Sequence, residues 1–121
     1  MSSQDRTHRI VYKILAREEW DEAVARGGYA GSADDLRDGF VHLSAATQLF
    51  GTAAKYFRGQ DGLVLVAFDA VELGGSLKWE PSRGGELFPH LFCELPAKCA
   101  RQVYDLPLGD DGIPLIPEGL E

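Results

Sequence analysis

The segment DGFVHLSAATQLF, residues 38–50, places an imidazole and a hydroxyl where a predicted strand runs into a predicted helix. Side chains alternate along a strand, so His42 and Ser44 share one face with Phe40. The free amide groups at a helix start favour an anionic ligand group. Ser44 is also a candidate N-cap of the helix, and His42 is equally a candidate for a strand histidine bonded to backbone. The segment therefore predicts a site and leaves its reaction open.

A second group of polar side chains lies in the loop PSRGGE and the segment LFPHLF that follows it. Glu86 and His90 are four residues apart in extended chain, which separates them by about 13 Å at ~3.3 Å per residue. This spacing predicts one residue at each end of a groove, with Arg83 in the flanking loop. The alternatives are a solvated carboxylate for Glu86 and local packing after Pro89 for His90.

Two further side chains have both a structural and a functional interpretation. Lys13 is the single charge in the strand-like segment IVYKIL, where it either reaches an edge or meets a phosphate or carboxylate in a pocket. Trp79 belongs either to the core or to a surface that stacks on a flat ligand ring. The two cysteines and three histidines lack the paired spacing of a zinc site or a disulfide framework, so we predict no metal site.

The elements that position these residues follow from hydrophobic periodicity. Six strands are predicted, at residues 10–15, 40–43, 63–68, 77–80, 87–92 and 100–106. Two main helices are predicted, at residues 17–25 and 46–57, with one loose helical turn after Ser32. The apolar run LVLVAF suits a central strand, whereas Pro89 favours an edge or bulged strand for its segment.

This order, with helices early and strands late, predicts an α+β fold with a largely antiparallel sheet. We expect one globular domain at residues 10–106, a flexible N-terminus at residues 1–9 and a proline-containing acidic tail at residues 107–121. No glycine-rich phosphate loop follows a strand, which argues against a Rossmann or P-loop site.

The composition argues against two classes of binding partner, nucleic acids and membranes. The net charge of −7 argues against a non-specific nucleic-acid binder, which needs a basic face. No apolar run approaches the ~18 residues of a membrane span, and the N-terminus lacks a signal-peptide core. We therefore predict a cytoplasmic protein without a membrane partner.

The order IVYKIL, DGFVHLSA, LVLVAFD, LKWE and GELFPHLF resembles the uncharacterised family called domain of unknown function 952, over residues 10–106. FVHLS and GELFPH are the most specific blocks. The first strand of that family often reads I-Y-H-I, so Lys13 stands in place of a frequent histidine. The family in turn distantly resembles the ADP-ribosyltransferase fold, including the RNA 2′-phosphotransferases, whose split, curved antiparallel sheet grips NAD in a central cleft.

This second resemblance implies an enzyme that transfers ADP-ribose from NAD, or a binder of an NAD or ADP-ribose type of ligand. By position, Lys13 would hold a ribose, His42 with Ser44 would lie near the nicotinamide, and Glu86 would support the transfer, with His90 beside them. The implied catalytic residues are Glu86, His42 and His90, and the implied ligand-binding residues are Lys13, Ser44, Trp79 and Arg83. The alternatives are a non-catalytic ligand-binding domain and a protein-interaction module.

Overall fold

In the computed structural model, which describes residues 9–121, strands and short helices alternate along the chain. The strands are β1 (Ile10–Ala16), β2 (Gly28–Tyr29), β3 (Val41–His42), β4 (Leu63–Asp69), β5 (Leu77–Pro81), β6 (Leu87–Leu91), β7 (Leu95–Pro96) and β8 (Ala100–Leu106). The α-helices are α1 (Arg17–Arg26), α2 (Ala33–Asp38), α3 (Leu49–Tyr56) and α4 (Ala70–Leu73). Single 3₁₀ turns occupy Ala46–Gln48, Gly74–Ser76, Arg83–Gly85 and Ala97–Cys99.

Two three-stranded antiparallel sheets, in the orders β1-β4-β8 and β3-β6-β5, form most of the framework, and β2 pairs with β7. The two larger sheets meet at one backbone bridge, where Tyr12 and Ser44 exchange two hydrogen bonds of 2.8 and 2.9 Å. This bridge places the end of the FVHLS segment against β1. The α+β class and the antiparallel pairing are as predicted.

Strand β4 is central in its sheet and separates two apolar clusters, as its apolar run predicted. Val64, Val66 and Phe68 face one cluster, and Leu65 faces the other. All four side chains are fully buried. Helix α1 also matches its prediction and ends at Gly27, whose φ of 97° is the left-handed conformation that glycine tolerates best.

The prediction that Pro89 marks an edge or bulged strand is wrong, because β6 is the central strand of the second sheet and pairs with β5 in continuous register. The Pro89 carbonyl accepts a hydrogen bond from the Leu43 amide at 3.0 Å, so the polar backbone groups of this residue face the β3 side. Strand β3 ends at His42, one residue before that contact. The missing proline N–H therefore removes no hydrogen bond from the β5–β6 ladder.

The two predicted helix starts also differ from the structure. Ser44 does not cap the helix that follows, because its backbone pairs with Tyr12, and the Ala45 amide instead donates to the Gln48 side chain at 2.9 Å. The loose turn predicted after Ser32 is the six-residue helix α2, with Ser32 and Asp35 capping its first turn reciprocally.

Both ends of the chain carried predictions. The predicted flexible N-terminus lies outside the described residues except for Arg9. Residues 107–121 pack back onto the domain, where Ile113 is buried and Leu120 contacts the same apolar cluster as Leu65. No helix within residues 9–121 has the length and apolar character needed to cross a lipid bilayer.

Candidate functional site

A cavity of about 260 Å³ opens where the two larger sheets meet. Strands β1, β3 and β6 contribute to its walls, with helices α2 and α3 and the loop between β5 and β6. Ligand pockets typically enclose about 300–1,000 Å³. The cavity is therefore suited to a small ligand or to one end of a larger ligand.

A buried carboxylate, Asp35, organises one wall. Its side chain is 2% exposed and accepts from the Lys13 ammonium at 2.9 Å and from the Ser32 amide at 2.9 Å. Its other oxygen contacts both the His42 amide, at 3.0 Å, and the His42 ring nitrogen Nδ1, at 2.6 Å. Lys13 also donates to the His42 carbonyl at 2.9 Å. One carboxylate thus ties β1, α2 and β3 together.

The charges in this wall shift one another's pKa. Burial acts to raise the pKa of Asp35, but the Lys13 charge and the hydrogen bonds from His42 and Ser32 outweigh it, so the pKa lies below its ordinary value. Burial lowers the pKa of the Lys13 ammonium although Asp35 acts in the opposite direction. A buried ammonium group destabilises the folded protein unless a carboxylate partner compensates its charge.

The His42 imidazole lies between two carboxylates, with Nδ1 at 2.6 Å from Asp35 and Nε2 at 3.0 Å from Asp38. The Nδ1 contact with Asp35 is a hydrogen bond, and Nε2 lies within ion-pair distance of the Asp38 carboxylate. The hydrogen bond from Arg37 lowers the pKa of Asp38, which keeps this carboxyl ionised. His42 is 36% exposed and lines the cavity, so the imidazole and its carboxylate partners lie beside the space that a ligand would occupy.

The second histidine, His90, is the strand partner of His42, and their ring centroids are 5.6 Å apart. His90 is 4% exposed, and its Nδ1 is 2.8 Å from a carboxylate oxygen of Glu80. Phe40 stacks on the His90 ring at a centroid distance of 4.0 Å and an interplanar angle of 21°. The tertiary structure therefore brings the two predicted histidines to one cavity.

Another part of the cavity wall holds a cation beside hydroxyl groups. Arg83 donates to the Thr52 hydroxyl at 3.3 Å, and Thr52 lies 3.3 Å from the Ser44 hydroxyl. The Arg83 guanidinium also lies 4.8 Å from the ring centroid of Phe88. Lys13 and Arg37, the other cations of the wall, both contact aspartates. Within residues 9–121, Arg83 is the cavity cation without a carboxylate partner.

The predicted site residues divide into two groups. The cavity is lined by Lys13, His42, Ser44, Arg83 and His90. Glu86 is exposed and lies outside this lining, and Trp79 packs against the apolar core instead. The catalytic and ligand-binding roles of all seven residues stay predictions.

Sequence reasoning missed Asp35, Asp38 and Thr52. Asp35 carries a usable signal, because S-x-x-D at residues 32–35 is a capping pattern that marks a helix start. Helical spacing places Asp38 near Asp35, one turn later. Among the described residues, no group of three or more histidine, cysteine, aspartate or glutamate side chains is arranged to hold a metal ion.

Three solved structures are similar to this chain. A crystal structure of protein CC0527 from Caulobacter crescentus is 55% identical with a TM-score of 0.85, and the match covers 88% of this chain and 93% of that chain. A crystal structure of a double mutant of the same protein is 54% identical with a TM-score of 0.85, covering 88% and 93%. Its solution NMR structure is 55% identical with a TM-score of 0.79, covering 87% and 90%.

No curated protein matches this chain. The model of the family described as "Protein of unknown function (DUF952)" matches residues 14–103. Neither the name of this family nor that of protein CC0527 states an activity, so the likeness to ADP-ribosyltransferases stays a prediction. The match covers most of the chain and includes both the FVHLS and GELFPH segments, so this chain belongs to the DUF952 family.

Proposed function

We propose that the cavity binds a small phosphorylated ribose compound of the NAD or ADP-ribose type. The observation that carries the proposal is Arg83, a cavity cation without a carboxylate partner among residues 9–121. A guanidinium binds phosphate through charge-assisted hydrogen bonds. The Thr52 and Ser44 hydroxyls beside it are further donors to phosphate oxygens.

The other wall suits the sugar. Asp34, Asp35 and Asp38 all line the cavity there. Carboxylates repel a phosphate and accept hydrogen bonds from hydroxyl groups. A ligand with an anion at one end and hydroxyls at the other matches this division of charge. The cavity volume of about 260 Å³ favours enclosing one ribose phosphate unit, with the rest of a larger ligand outside.

Replacing Arg83 with glutamine is expected to weaken ADP-ribose binding by about ten- to a hundredfold, because a charge-assisted hydrogen bond contributes ~1.5–3 kcal/mol. Isothermal titration calorimetry with ADP-ribose, NAD and inorganic phosphate measures this change, and the ligand-induced rise in melting temperature provides a second readout. Arg26→Gln is the matched control, since Arg26 is half-exposed and lies outside the cavity lining.

Equal affinity of Arg83→Gln and wild-type protein would contradict the assignment of the phosphate end. If none of these compounds binds the wild-type protein at millimolar concentration, the proposed function is wrong. A protein-interaction module then becomes the favoured alternative.

A second candidate function, cleavage of NAD, is favoured by the ionised Asp38 carboxylate in the cavity wall. In NAD hydrolysis the bond between nicotinamide and ribose breaks, neutral nicotinamide leaves with the bonding electrons, and water adds to the ribose carbon and gives up a proton. A carboxylate stabilises the positive charge that develops on the ribose. Asp38 lines the cavity, so we assign this charge stabilisation to its carboxylate.

If the protein cleaves NAD, Asp38→Asn is expected to reduce nicotinamide release by at least about a hundredfold while ADP-ribose binding survives. Chromatographic detection of nicotinamide measures the rate. Glu86→Gln is the comparison, because Glu86 is the acid that the sequence predicted for this role and lies outside the lining. A loss confined to Glu86→Gln would identify Glu86 as the catalytic acid instead. No release by the wild-type protein would leave a non-catalytic binder.

A further inference from the structure

His90 presents a buried hydrogen-bonding atom without a partner. The residue is 4% exposed, and its ring nitrogen Nε2 has no hydrogen-bond partner among the described residues. A buried polar atom left unsatisfied costs about 1–3 kcal/mol, so native proteins rarely retain one without a reason. His90 lines the cavity, whereas Glu80 on its Nδ1 side does not. Nε2 lies on the edge of the ring away from Glu80.

The contact with Glu80 fixes the chemistry of this free nitrogen. Because a carboxylate accepts, Nδ1 must donate its proton across the 2.8 Å contact. In the neutral ring Nε2 is then an acceptor with an available lone pair. Phe40 stacks on the face of the His90 ring at a centroid distance of 4.0 Å, and the His90 backbone belongs to the central strand β6. The acceptor therefore has a fixed position.

We infer that His90 Nε2 accepts a hydrogen bond from a ligand hydroxyl or amide N–H and thereby selects ligands that carry such a donor. This inference rests on the proposed function and assigns the ribose hydroxyls as the donor class. A phosphate oxygen does not fit here, because two acceptors would face each other. In this arrangement, Arg83 binds the phosphate and His90 accepts a hydrogen bond from a sugar hydroxyl.

The test compares ribose 5-phosphate with inorganic phosphate, because only the former carries hydroxyl donors on a sugar. His90→Phe keeps a flat ring against Phe40 and removes the acceptor. We expect this variant to bind ribose 5-phosphate about five- to tenfold more weakly and inorganic phosphate within about twofold of wild type. His90→Gln supplies an amide oxygen near the Nε2 position and is expected to recover part of the preference.

Long-range ¹H–¹⁵N NMR of the histidine rings provides a readout that a purely structural role would not move. We expect an unprotonated Nε2 in the free protein and a change of its ¹⁵N shift on addition of ribose 5-phosphate but not of phosphate. A protonated Nε2 in the free protein would overturn the inference, as would equal weakening of both compounds in His90→Phe. Normal binding of ribose 5-phosphate to His90→Phe would overturn this inference and leave the proposed function standing. If the wild-type protein binds neither compound, both the inference and the proposed function are wrong.

Discussion

Replacing Asp35 with asparagine is expected to lower the free energy of unfolding by about 3–5 kcal/mol, because the change leaves the Lys13 ammonium buried without its counter-ion. The two side chains are only 2% and 9% exposed, so water does not compensate for the loss. The asparagine side chain keeps one carbonyl oxygen, but it does not reproduce a carboxylate that accepts from Lys13, Ser32 and His42 together. Urea denaturation followed by circular dichroism measures the effect.

Two variants test the physical cause. Asp34→Asn changes the neighbouring carboxylate, which is 61% exposed and pairs with Arg37 at the surface, and is expected to cost less than about 1 kcal/mol. Adding Lys13→Met to Asp35→Asn removes the unpaired cation and is expected to restore part of the lost stability. A cost below about 1 kcal/mol for Asp35→Asn, or no recovery in the double variant, would show that the ion pair does not hold this wall.

The same carboxylate predicts how stability depends on pH. The pKa of Asp35 lies below its ordinary value of 3.8 in the folded protein, so the folded state binds this proton less readily than the unfolded state. Its contribution is therefore complete above the ordinary pKa and is lost as the pH falls through the folded-state pKa. Denaturation series from about pH 5 downwards should show a smaller acid-induced loss in Asp35→Asn than in the wild-type protein.

Replacing Phe68 with alanine is expected to lower the free energy of unfolding by about 3–5 kcal/mol, because it opens a cavity in the largest apolar cluster. Phe68 is fully buried in β4, and its ring meets Trp20 edge-on at a centroid distance of 6.1 Å. Phe50→Ala is the matched control, since Phe50 is 62% exposed and should cost at most about 0.5 kcal/mol. Similar costs for the two variants would contradict the assignment of β4 as the centre of the core.

The longer strands of the sheet framework could be predicted because their signals are local. Enrichment in β-branched and aromatic residues predicted β1, and a continuous apolar run predicted the buried strand β4. The two-residue strands β2 and β7 escaped prediction because, unlike β3, they do not lie in a longer segment with a strand pattern. The position of β6 at the centre of its sheet also escaped, since the side to which Pro89 turns its backbone depends on the pairing partner.

In the candidate site, too, some residues could be predicted from local sequence and others depend on distant partners. Lys13, His42 and Arg83 were predicted from residue type and position, and all three line one cavity. Asp35 was missed because a carboxylate in the polar segment YAGSADDLRD looks solvated in sequence. Its burial depends on Lys13, which lies 22 positions away on another element. No local pattern reports a pair of that kind.

The sequence by itself determined the fold class, the longer strands, helix α1 and the presence of polar side chains in the FVHLS and GELFPH segments. These features depend on residues that are neighbours along the chain. Only the tertiary structure decided which acid each histidine meets. Glu80 reaches His90 through the pairing of β5 with β6, whereas Glu86, which is nearer in sequence, faces solvent. Asp35 reaches His42 because its helix packs beside β3. Strand register and helix packing set these contacts, since they bring together side chains that sequence distance separates.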